Sequence, residues 1–198
     1  MKLILASNNA HKLREFRELF RSLDVELLSQ REAGIDVDPE ETGETFAENA
    51  FIKAEAVMKA SGMPAIADDS GICVDALGGE PGVHSARYTG KHDDTDQDRN
   101  ALLLRNLEGV TDRRGRFVCS LCCVFPNGDI LRTEAAMEGN ILYAPRGENG
   151  FGYDPIFQPL GYDCSNAELS LSEKNAISHR GKALKKMKEE WEQYHADK

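Results

Sequence analysis

Apolar side chains recur every three or four residues in several stretches of this chain, a spacing that places them on one face of a helix. Thr45 and Glu48 form a capping box before one of these stretches, and Gly62 follows it as a stop signal. The apolar positions of the first and last stretches are Leu13, Phe16, Leu19, Phe20, Leu184, Met187, Trp191 and Tyr194. The spacing predicts a helix that begins at Lys12 and further helices at 46–61, 95–107 and 179–195.

Shorter apolar runs, bounded by turn-forming residues, predict strands. These runs lie at 2–6, 25–29, 65–68, 72–75, 117–125, 130–137 and 139–144. Asn127 and Gly128 separate two of them, which is a strong hairpin signal. Because a hairpin adds antiparallel strands to a chain of mixed helices and strands, we predict an α/β fold with a mixed sheet. The 198 residues suffice for a single domain over 1–198, or for two lobes that share one sheet.

The charge balance argues against a nucleic-acid partner. The chain has 24 basic and 34 acidic residues and a net charge of −10, whereas a polyanion is bound through a basic surface. A small anionic substrate that arrives with a divalent cation is compatible with this charge. No apolar run approaches the ~20 residues of a membrane span, and the first residues are too short an apolar stretch for a secretory signal. We therefore expect a cytoplasmic protein without a membrane partner.

The cysteines are expected to be reduced, because their number is odd and no export signal is apparent. Cys119 and Cys122 have the spacing of a metal hook or a redox pair. On a strand, however, side chains three residues apart point to opposite faces, so these two thiols cannot bind one ion. We predict that they are small apolar residues of a central strand. A redox or metal-storage role through this pair is the least favoured interpretation.

Two adjacent carboxylates, Asp68 and Asp69, are the most informative polar feature. They follow a short apolar run and precede Ser70 and Gly71, so the pattern predicts a turn between two strands. Adjacent side chains on an extended backbone point to opposite sides, so one aspartate can face a ligand while the other holds the turn. A carboxylate pair also suits Mg²⁺, which takes one or two carboxylates and leaves its other positions to water and phosphates.

Two segments before predicted helices could bind the phosphates of a ligand and a metal. Residues 7–12 precede the first helix, where free N–H groups and the Lys12 ammonium favour an anion. Plain N-capping by Asn8 or Asn9 explains the same residues. Residues 40–44 are acidic and precede the second helix, where acidic groups also favour the helix dipole.

A glycine-rich aromatic segment at 150–155, together with 178–181, could hold a nucleotide base. Its rings could stack on a base, and Asp154 could accept hydrogen bonds from base N–H groups. The alternative is that Phe151 and Tyr153 belong to the core and that Ser178 is a helix cap. Taken together, a phosphate cradle, acidic metal ligands and a base-binding loop indicate a Mg²⁺-dependent enzyme that acts on a nucleoside triphosphate.

Five segments resemble the inosine triphosphate pyrophosphatase family, the non-canonical purine NTP pyrophosphatases. They are SNNAHK at 7–12, EETGETFAENAFIKA at 40–54, AIADDSGICVDALGGEPGVHSARY at 65–88, GENGFGYDPIF at 147–157 and SEKNAISHRGKA at 172–183. The segments occur in order along nearly the whole chain, and the last three are long and specific. Residues 91–106 and the hairpin tip carry no family signature.

The resemblance implies hydrolysis of ITP, dITP and XTP to the monophosphate and pyrophosphate, with Mg²⁺ as cofactor. It also implies a homodimer whose long mixed sheet forms two lobes with the active site in the cleft between them. Glu41 and Asp69 would bind the metal, and Asp69 would accept the proton; Glu40 is the alternative to Glu41, and the role of Asp68 stays open. The implied substrate-binding residues are Ser7, Asn8, Asn9, Ala10, His11, Lys12, Ser70, Phe151, Gly152, Tyr153, Asp154, Lys174, His179 and Arg180.

Two further functions stay open at this point. A related house-cleaning pyrophosphatase for modified pyrimidine or methylated nucleotides would share a similar fold. A nucleotide sensor without turnover would bind the same ligand but release no pyrophosphate. The intact Asp68, Asp69 and Lys12 argue against the sensor.

Overall fold

The computed structural model describes residues 1–23 and 25–196, and of Leu19 only the backbone. Five helices and six strands account for most of this part of the chain. In chain order they are β1 Lys2–Leu5, α1 Ala10–Phe20, β2 Glu26–Ser29, α2 Phe46–Ser61, β3 Ala65–Val74, α3 Asp96–Asn106, β4 Arg114–Val124, β5 Ile130–Ile141, β6 Phe157–Pro159, α4 Leu171–Ile177 and α5 His179–Ala196. None of the described helices is both long enough and apolar enough to cross a membrane.

The six strands form one mixed sheet in the order β2-β1-β3-β4-β5-β6. β1 runs parallel to both β2 and β3, whereas β5 and β6 are antiparallel. The predicted mixed α/β sheet is thus confirmed. The chain divides into two structural units: unit 1 comprises 1–69, 119–135 and 180–198, and unit 2 comprises 70–118 and 136–179. The predicted cleft and the single-domain boundary 1–198 stay predictions.

Unit 1 has a separate apolar cluster on each face of its strands. On one face, Leu3 and Leu5 of β1 pack with Phe16 of α1 and Met187 and Trp191 of α5. The other cluster joins the same strands to α2 and contains Ile4, Ala6, Ala50, Ala54, Val57, Ala65, Ala67, Cys122 and Val124. Because alternate strand residues point to opposite faces and both faces are covered, residues 3–5 of β1 and 65–67 of β3 are apolar and buried at every position.

Unit 2 has its own core, in which α3 packs against the strands. Leu103 of α3 and Leu107, the C-cap of that helix, are buried together with Phe117 of β4, Met137 of β5 and Phe157 of β6. Thr95 and Asp98 form a capping box that begins α3. The capping box sets where α3 begins, and the apolar face of α3 packs against the strands.

Some predicted boundaries are confirmed, two are corrected, and two short elements were not predicted. α2 has the predicted bounds, the capping box of Thr45 and Glu48, and Gly62 as its left-handed C-cap at φ +66°. α1 begins at Ala10 rather than Lys12, because Asn9 caps it. The runs at 130–137 and 139–144 were predicted as two strands, but residues 130–141 form the single strand β5. β6 and α4 are too short to give a periodic signal and were not predicted.

The predicted turn at the two aspartates is wrong. β3 continues from Ala65 to Val74 without interruption, so Asp68 and Asp69 lie within the strand rather than at its tip. Turn-forming residue types favour a turn only where the backbone is free to bend. Here the backbone pairs within the sheet, and a lysine side chain bonds to each of the two carboxylates.

Cys119, Cys122 and Cys123 are small apolar residues of β4, as predicted. Cys119 and Cys123 pack in one cluster of unit 1, whereas Cys122 belongs to the cluster on the opposite face. None of the five cysteines, all of which lie in the described part of the chain, forms a disulfide. The two members of the Cys119–Cys122 pair therefore point apart and cannot share a metal ion.

Cys123→Ser tests this apolar role. Cys123 is fully buried, and burial raises the pKa of its thiol. Replacing it with a hydroxyl that has no partner in this apolar cluster is expected to lower the free energy of unfolding by about 1–3 kcal/mol. Urea denaturation measures the loss, with Cys164→Ser at a half-buried position as the control. Equal stability of the two variants would contradict the apolar role.

Candidate active site

Asp68 and Asp69 point to opposite faces of β3. Asp68 lies on the face that α1 and α5 cover, and Asp69 lies on the face that α2 covers. Both are buried, with 3 % and 8 % of their surface exposed. Asp68 therefore meets Lys12 and Arg180, whereas Asp69 meets Lys53.

Asp68 is the centre of a buried ion-pair cluster. The Lys12 ammonium lies 2.9 Å from Asp68 Oδ1, and the Arg180 guanidinium Nε lies 3.3 Å from Oδ2. Arg180 Nη1 in turn lies 2.6 Å from Glu15 Oε2. Burial alone would raise the pKa of Asp68, but the charges of Lys12, Arg180 and Lys53 outweigh it and hold that pKa well below its ordinary value. Asp68 therefore stays charged and orients two of the predicted substrate-binding residues.

Asp69 shares a cation with Glu41. The Lys53 ammonium lies 2.9 Å from Asp69 Oδ1 and 3.1 Å from Glu41 Oε1. Burial raises the pKa of Asp69; Lys53 opposes this rise, and the carboxylates of Glu41 and Asp68 add to it. Burial would lower the pKa of Lys53, but the carboxylates around it raise that pKa. The two acids predicted as metal ligands are therefore neighbours, held together by one ammonium.

The arrangement fits a magnesium site. Asp69 Oδ2 is buried and has no hydrogen-bond partner among the described residues. A buried carboxylate oxygen without a partner is costly, and a cation would satisfy it. Among those residues no group of three or more His, Cys, Asp or Glu side chains could hold a metal ion. A pair of carboxylates is what Mg²⁺ needs when phosphates and water complete its shell.

Glu41 is a better candidate ligand than Glu40. Glu41 is half-buried beside Lys53, whereas Glu40 is exposed. The segment before α2 is fixed by Asn49, whose side-chain oxygen accepts a hydrogen bond of 2.8 Å from the Gly43 amide. A Cβ at Gly43 would clash with that side chain. Glycine at this position therefore allows the close approach that places Glu41 beside the cluster.

The segment between β1 and α1 caps the helix through its own side chains. Asn9 Oδ1 accepts from the amides of His11 and Lys12 at 2.9 and 3.2 Å. Ser7 Oγ accepts from the Asn9 amide, and Asn8 Oδ1 accepts from the amide of Arg31. Ala10 begins the helix. The predicted N-capping by Asn9 is confirmed, and phosphate binding by these residues stays a prediction.

The predicted nucleotide loop of unit 2 is organised by Asp154. Its Oδ2 accepts from the Phe151 amide at 2.9 Å and from the Lys174 ammonium at 2.6 Å. Its Oδ1 accepts from Asn166 Nδ2 at 3.2 Å. Asp154 is buried and both of its oxygens are bonded within the protein, so it shapes the loop in this structure. Gly150 must lack a Cβ, because that atom would clash with Asp154 Oδ2.

The other predicted residues of unit 2 have different surroundings. The Lys174 ammonium lies 4.9 Å from the centre of the Phe151 ring. Tyr153 is buried in the core, and its hydroxyl donates to the Ser85 carbonyl at 2.7 Å. The His179 ring stacks on Phe117 at 4.9 Å between centroids. The remaining residue, Ser70, is half-buried in β3, next to Asp69 in sequence.

Two residues that form ion pairs with the predicted site residues of unit 1 were not predicted from the sequence. Lys53 and Glu15 lie on the inner faces of α2 and α1, where they pair with residues that were predicted. Their only sequence signal is a charge at a position where the helical spacing calls for a core-facing residue. On one face of β3 the carboxylates of Asp68 and Glu15 balance Lys12 and Arg180, whereas on the other face the carboxylates of Asp69 and Glu41 share the single ammonium of Lys53. The excess negative charge further suits a divalent cation.

Comparison of the sequence with known proteins identifies a family and several close relatives. The sequence pattern of the Ham1 family matches residues 3–190. A dITP/XTP pyrophosphatase of Geobacillus kaustophilus is 50% identical over 194 residues, which cover 97% of this chain and 95% of that protein. One from Clostridium perfringens is 46% identical over 196 residues, covering 95% and 96%.

Solved structures give the same result. A HAM1 protein from Coxiella burnetii superposes with a TM-score of 0.89 at 45% identity, covering 94% of this chain and 96% of that one. The Ham1 protein of Staphylococcus aureus gives 0.90 at 41% identity, covering 98% and 100%. The chain belongs to the Ham1 family, and the resemblance found in its sequence is confirmed.

Asp68→Asn is expected to destabilise unit 1 strongly. The amide keeps the size of the side chain but leaves Lys12 and Arg180 without their shared counter-charge. Removing one partner of a buried ion pair costs about 3–5 kcal/mol of unfolding free energy, which urea denaturation measures. Asp163→Asn, at an exposed position, controls for the loss of one acidic group. A variant as stable as this control would show that Asp68 does not hold the cluster.

Gly150→Ala is expected to disrupt the loop of unit 2. Gly150 and Gly161 both have left-handed backbones, at φ +76° and +84°. An added Cβ meets Asp154 at Gly150 but open space at Gly161. Gly161→Ala should cost about 1–2 kcal/mol for backbone strain, and Gly150→Ala about 1–3 kcal/mol more for the clash. Thermal denaturation of both variants makes the comparison, and equal losses would refute the contact.

Proposed function

We propose that this chain hydrolyses non-canonical purine nucleoside triphosphates, ITP, dITP and XTP, to the nucleoside monophosphate and pyrophosphate. The observation that carries the proposal is the buried Oδ2 of Asp69, which lies beside Glu41 and Lys53 and has no hydrogen-bond partner among the described residues. It occurs in a chain 50% identical to a dITP/XTP pyrophosphatase. The acidic pair suits metal-assisted hydrolysis, and the basic neighbours suit a triphosphate.

Asp69 is the proposed proton acceptor. A water molecule attacks the α-phosphorus, the bond from that phosphorus to the bridging oxygen breaks, and pyrophosphate leaves with that oxygen. The proton of the water passes to the Asp69 carboxylate, which Lys53 holds in place through Oδ1. Asp68 has a different role, because its charge orients Lys12 and Arg180.

Glu41 and Asp69 are the proposed Mg²⁺ ligands. When bound, Mg²⁺ would neutralise phosphate charge and polarise the phosphoryl group that is attacked. Lys12 and Lys53 add positive charge for the phosphate oxygens. Ser7, the Asn9-capped start of α1 and Ser70 would supply further hydrogen bonds to the phosphates.

The loop of unit 2 is the proposed holder of the base and sugar. Phe151 offers a ring for stacking, and Lys174 and His179 offer hydrogen-bond donors. Asp154 acts by fixing the Phe151 amide and the Lys174 ammonium. A donor opposite position 6 of the base would favour the carbonyl of hypoxanthine or xanthine over the amino group of adenine. Arg180 or a backbone N–H is the proposed donor.

The proposal includes a homodimer, as the resemblance suggests, and a cytoplasmic location. Gel filtration combined with light scattering measures the mass of the assembly. A particle of twice the 21.9 kDa chain mass is expected.

Pyrophosphate release from a panel of triphosphates tests the activity. The panel contains ITP, dITP, XTP, ATP, GTP and a modified pyrimidine triphosphate, each with and without Mg²⁺. ITP, dITP or XTP should exceed ATP at least about 100-fold in kcat/KM, and only with the metal. Equal use of ATP, preference for the pyrimidine, or binding without pyrophosphate release would each overturn the proposal in favour of another function.

Two acids should be essential, and a neighbouring acid should not. Asp69→Asn and Glu41→Gln are expected to lose at least about 100-fold in kcat, the lower range for general-base help. Glu40→Gln should stay close to the parental rate, because Glu40 is exposed. Circular dichroism checks that all three variants are folded. Parental turnover in Asp69→Asn would exclude its role, and a loss in Glu40→Gln alone would reassign the ligand.

A further inference from the structure

The loop of unit 2 is held by α3 as well as by Asp154. The Gly152 amide donates to Asp96 Oδ2 at 2.6 Å, and the Gly152 carbonyl accepts from Asn100 Nδ2 at 3.1 Å. Both polar groups of one residue are therefore bonded to one helix. Gly152 has a left-handed backbone at φ +64°, and the residue before it is Phe151, whose ring is the proposed stacking surface.

The two α3 side chains lie on one face of the helix. Asp96, Asn100 and Leu103 are spaced four and three residues apart, which aligns them along α3. Leu103 is fully buried in the core of unit 2, and Asn100 is also buried. Leu103 thus anchors the helix in the core. Asp96 and Asn100, in the turns before it, bond to the backbone of Gly152.

Helix capping does not account for Asp96. The cap of α3 is formed by Thr95 and Asp98, each bonded to the backbone of the other. Asp96 instead forms an ion pair with Arg99, which also binds Asp94. That pair fixes one Asp96 oxygen and leaves Oδ2 for the Gly152 amide. The carboxylate is therefore directed at the loop.

We propose that Asp96 and Asn100 are positioning residues for the nucleotide. They hold the N–H and the carbonyl of Gly152 and thereby fix the orientation of the preceding residue, Phe151, on whose ring the base would stack. This inference rests on the proposed function, because it assumes that the loop holds a nucleotide. It also gives a role to the 91–106 segment, which carries no family signature in the sequence.

Four variants on α3 test the proposal. Asp96→Ala and Asn100→Ala each remove one bond to Gly152. Asp98→Ala removes an acid of the same turn, together with its cap, and Asn106→Ala removes an amide that binds Tyr88. Within the described part of the chain, neither control side chain bonds to the loop. Steady-state kinetics with the best substrate of the panel is measured for all four, and hydrogen exchange is followed at the amides of 150–154.

The loop variants should weaken substrate binding more than turnover. Losing one hydrogen bond is expected to raise KM about 3- to 10-fold while kcat changes less than about 2-fold. Amide exchange at 150–154 should accelerate about 10-fold or more, since the Gly152 amide loses its acceptor or its neighbouring restraint. Both controls should leave KM and loop exchange at parental values, even where Asp98→Ala lowers the melting temperature.

The outcomes separate this inference from the proposed function. If the parental chain hydrolyses the substrate but the loop variants match the controls in KM and exchange, the positioning role is wrong and the proposed function stands. If all four variants change in parallel with their melting temperatures, α3 is a structural support only and the inference is wrong. If the parental chain neither binds nor hydrolyses any triphosphate, the proposed function fails and this inference fails with it.

Discussion

The buried charge of Asp68 is the constraint on which the rest of unit 1 depends. A carboxylate in the interior of a sheet is costly unless cations and hydrogen bonds surround it. Lys12 from α1 and Arg180 from α5 meet this need, and Arg180 is balanced in turn by Glu15. Two helices distant in sequence are therefore tied to one strand by charge as well as by apolar packing. Neither cation can move away without leaving the charge of Asp68 poorly balanced in an apolar environment.

This cluster also separates structural from chemical roles within one dipeptide. Asp68 is saturated by cations, whereas Asp69 retains an oxygen without a described partner. Because strand side chains alternate, the two environments can differ although the residues are adjacent. Asp154 repeats the principle in unit 2, where a buried carboxylate organises an ammonium and a backbone amide. In both units an acidic group that looks like a ligand in the sequence shapes the groups around it.

The sequence was a good guide where local signals act alone. The capping box and Gly62 gave the bounds of α2, and the alternation of β4 placed Cys119 and Cys122 on opposite faces. It failed at 68–71, where turn-forming residue types are outweighed by pairing within the sheet. Lys53 and Glu15 could not be found because their partners lie on other elements. Such ion pairs depend on the fold and leave no periodic mark in the chain.

The uninterrupted course of β3 has a consequence for how this sequence can vary in length. Inserting or deleting one residue near its centre would invert every later side chain of the strand. A change before Asp68 would make Asp68 and Asp69 exchange or lose their partners, and Ile72 and Val74 would turn away from the core of unit 2. Length changes are therefore expected to be tolerated in surface connections such as 142–149, and to be eliminated within 65–74, even where each individual residue could be substituted.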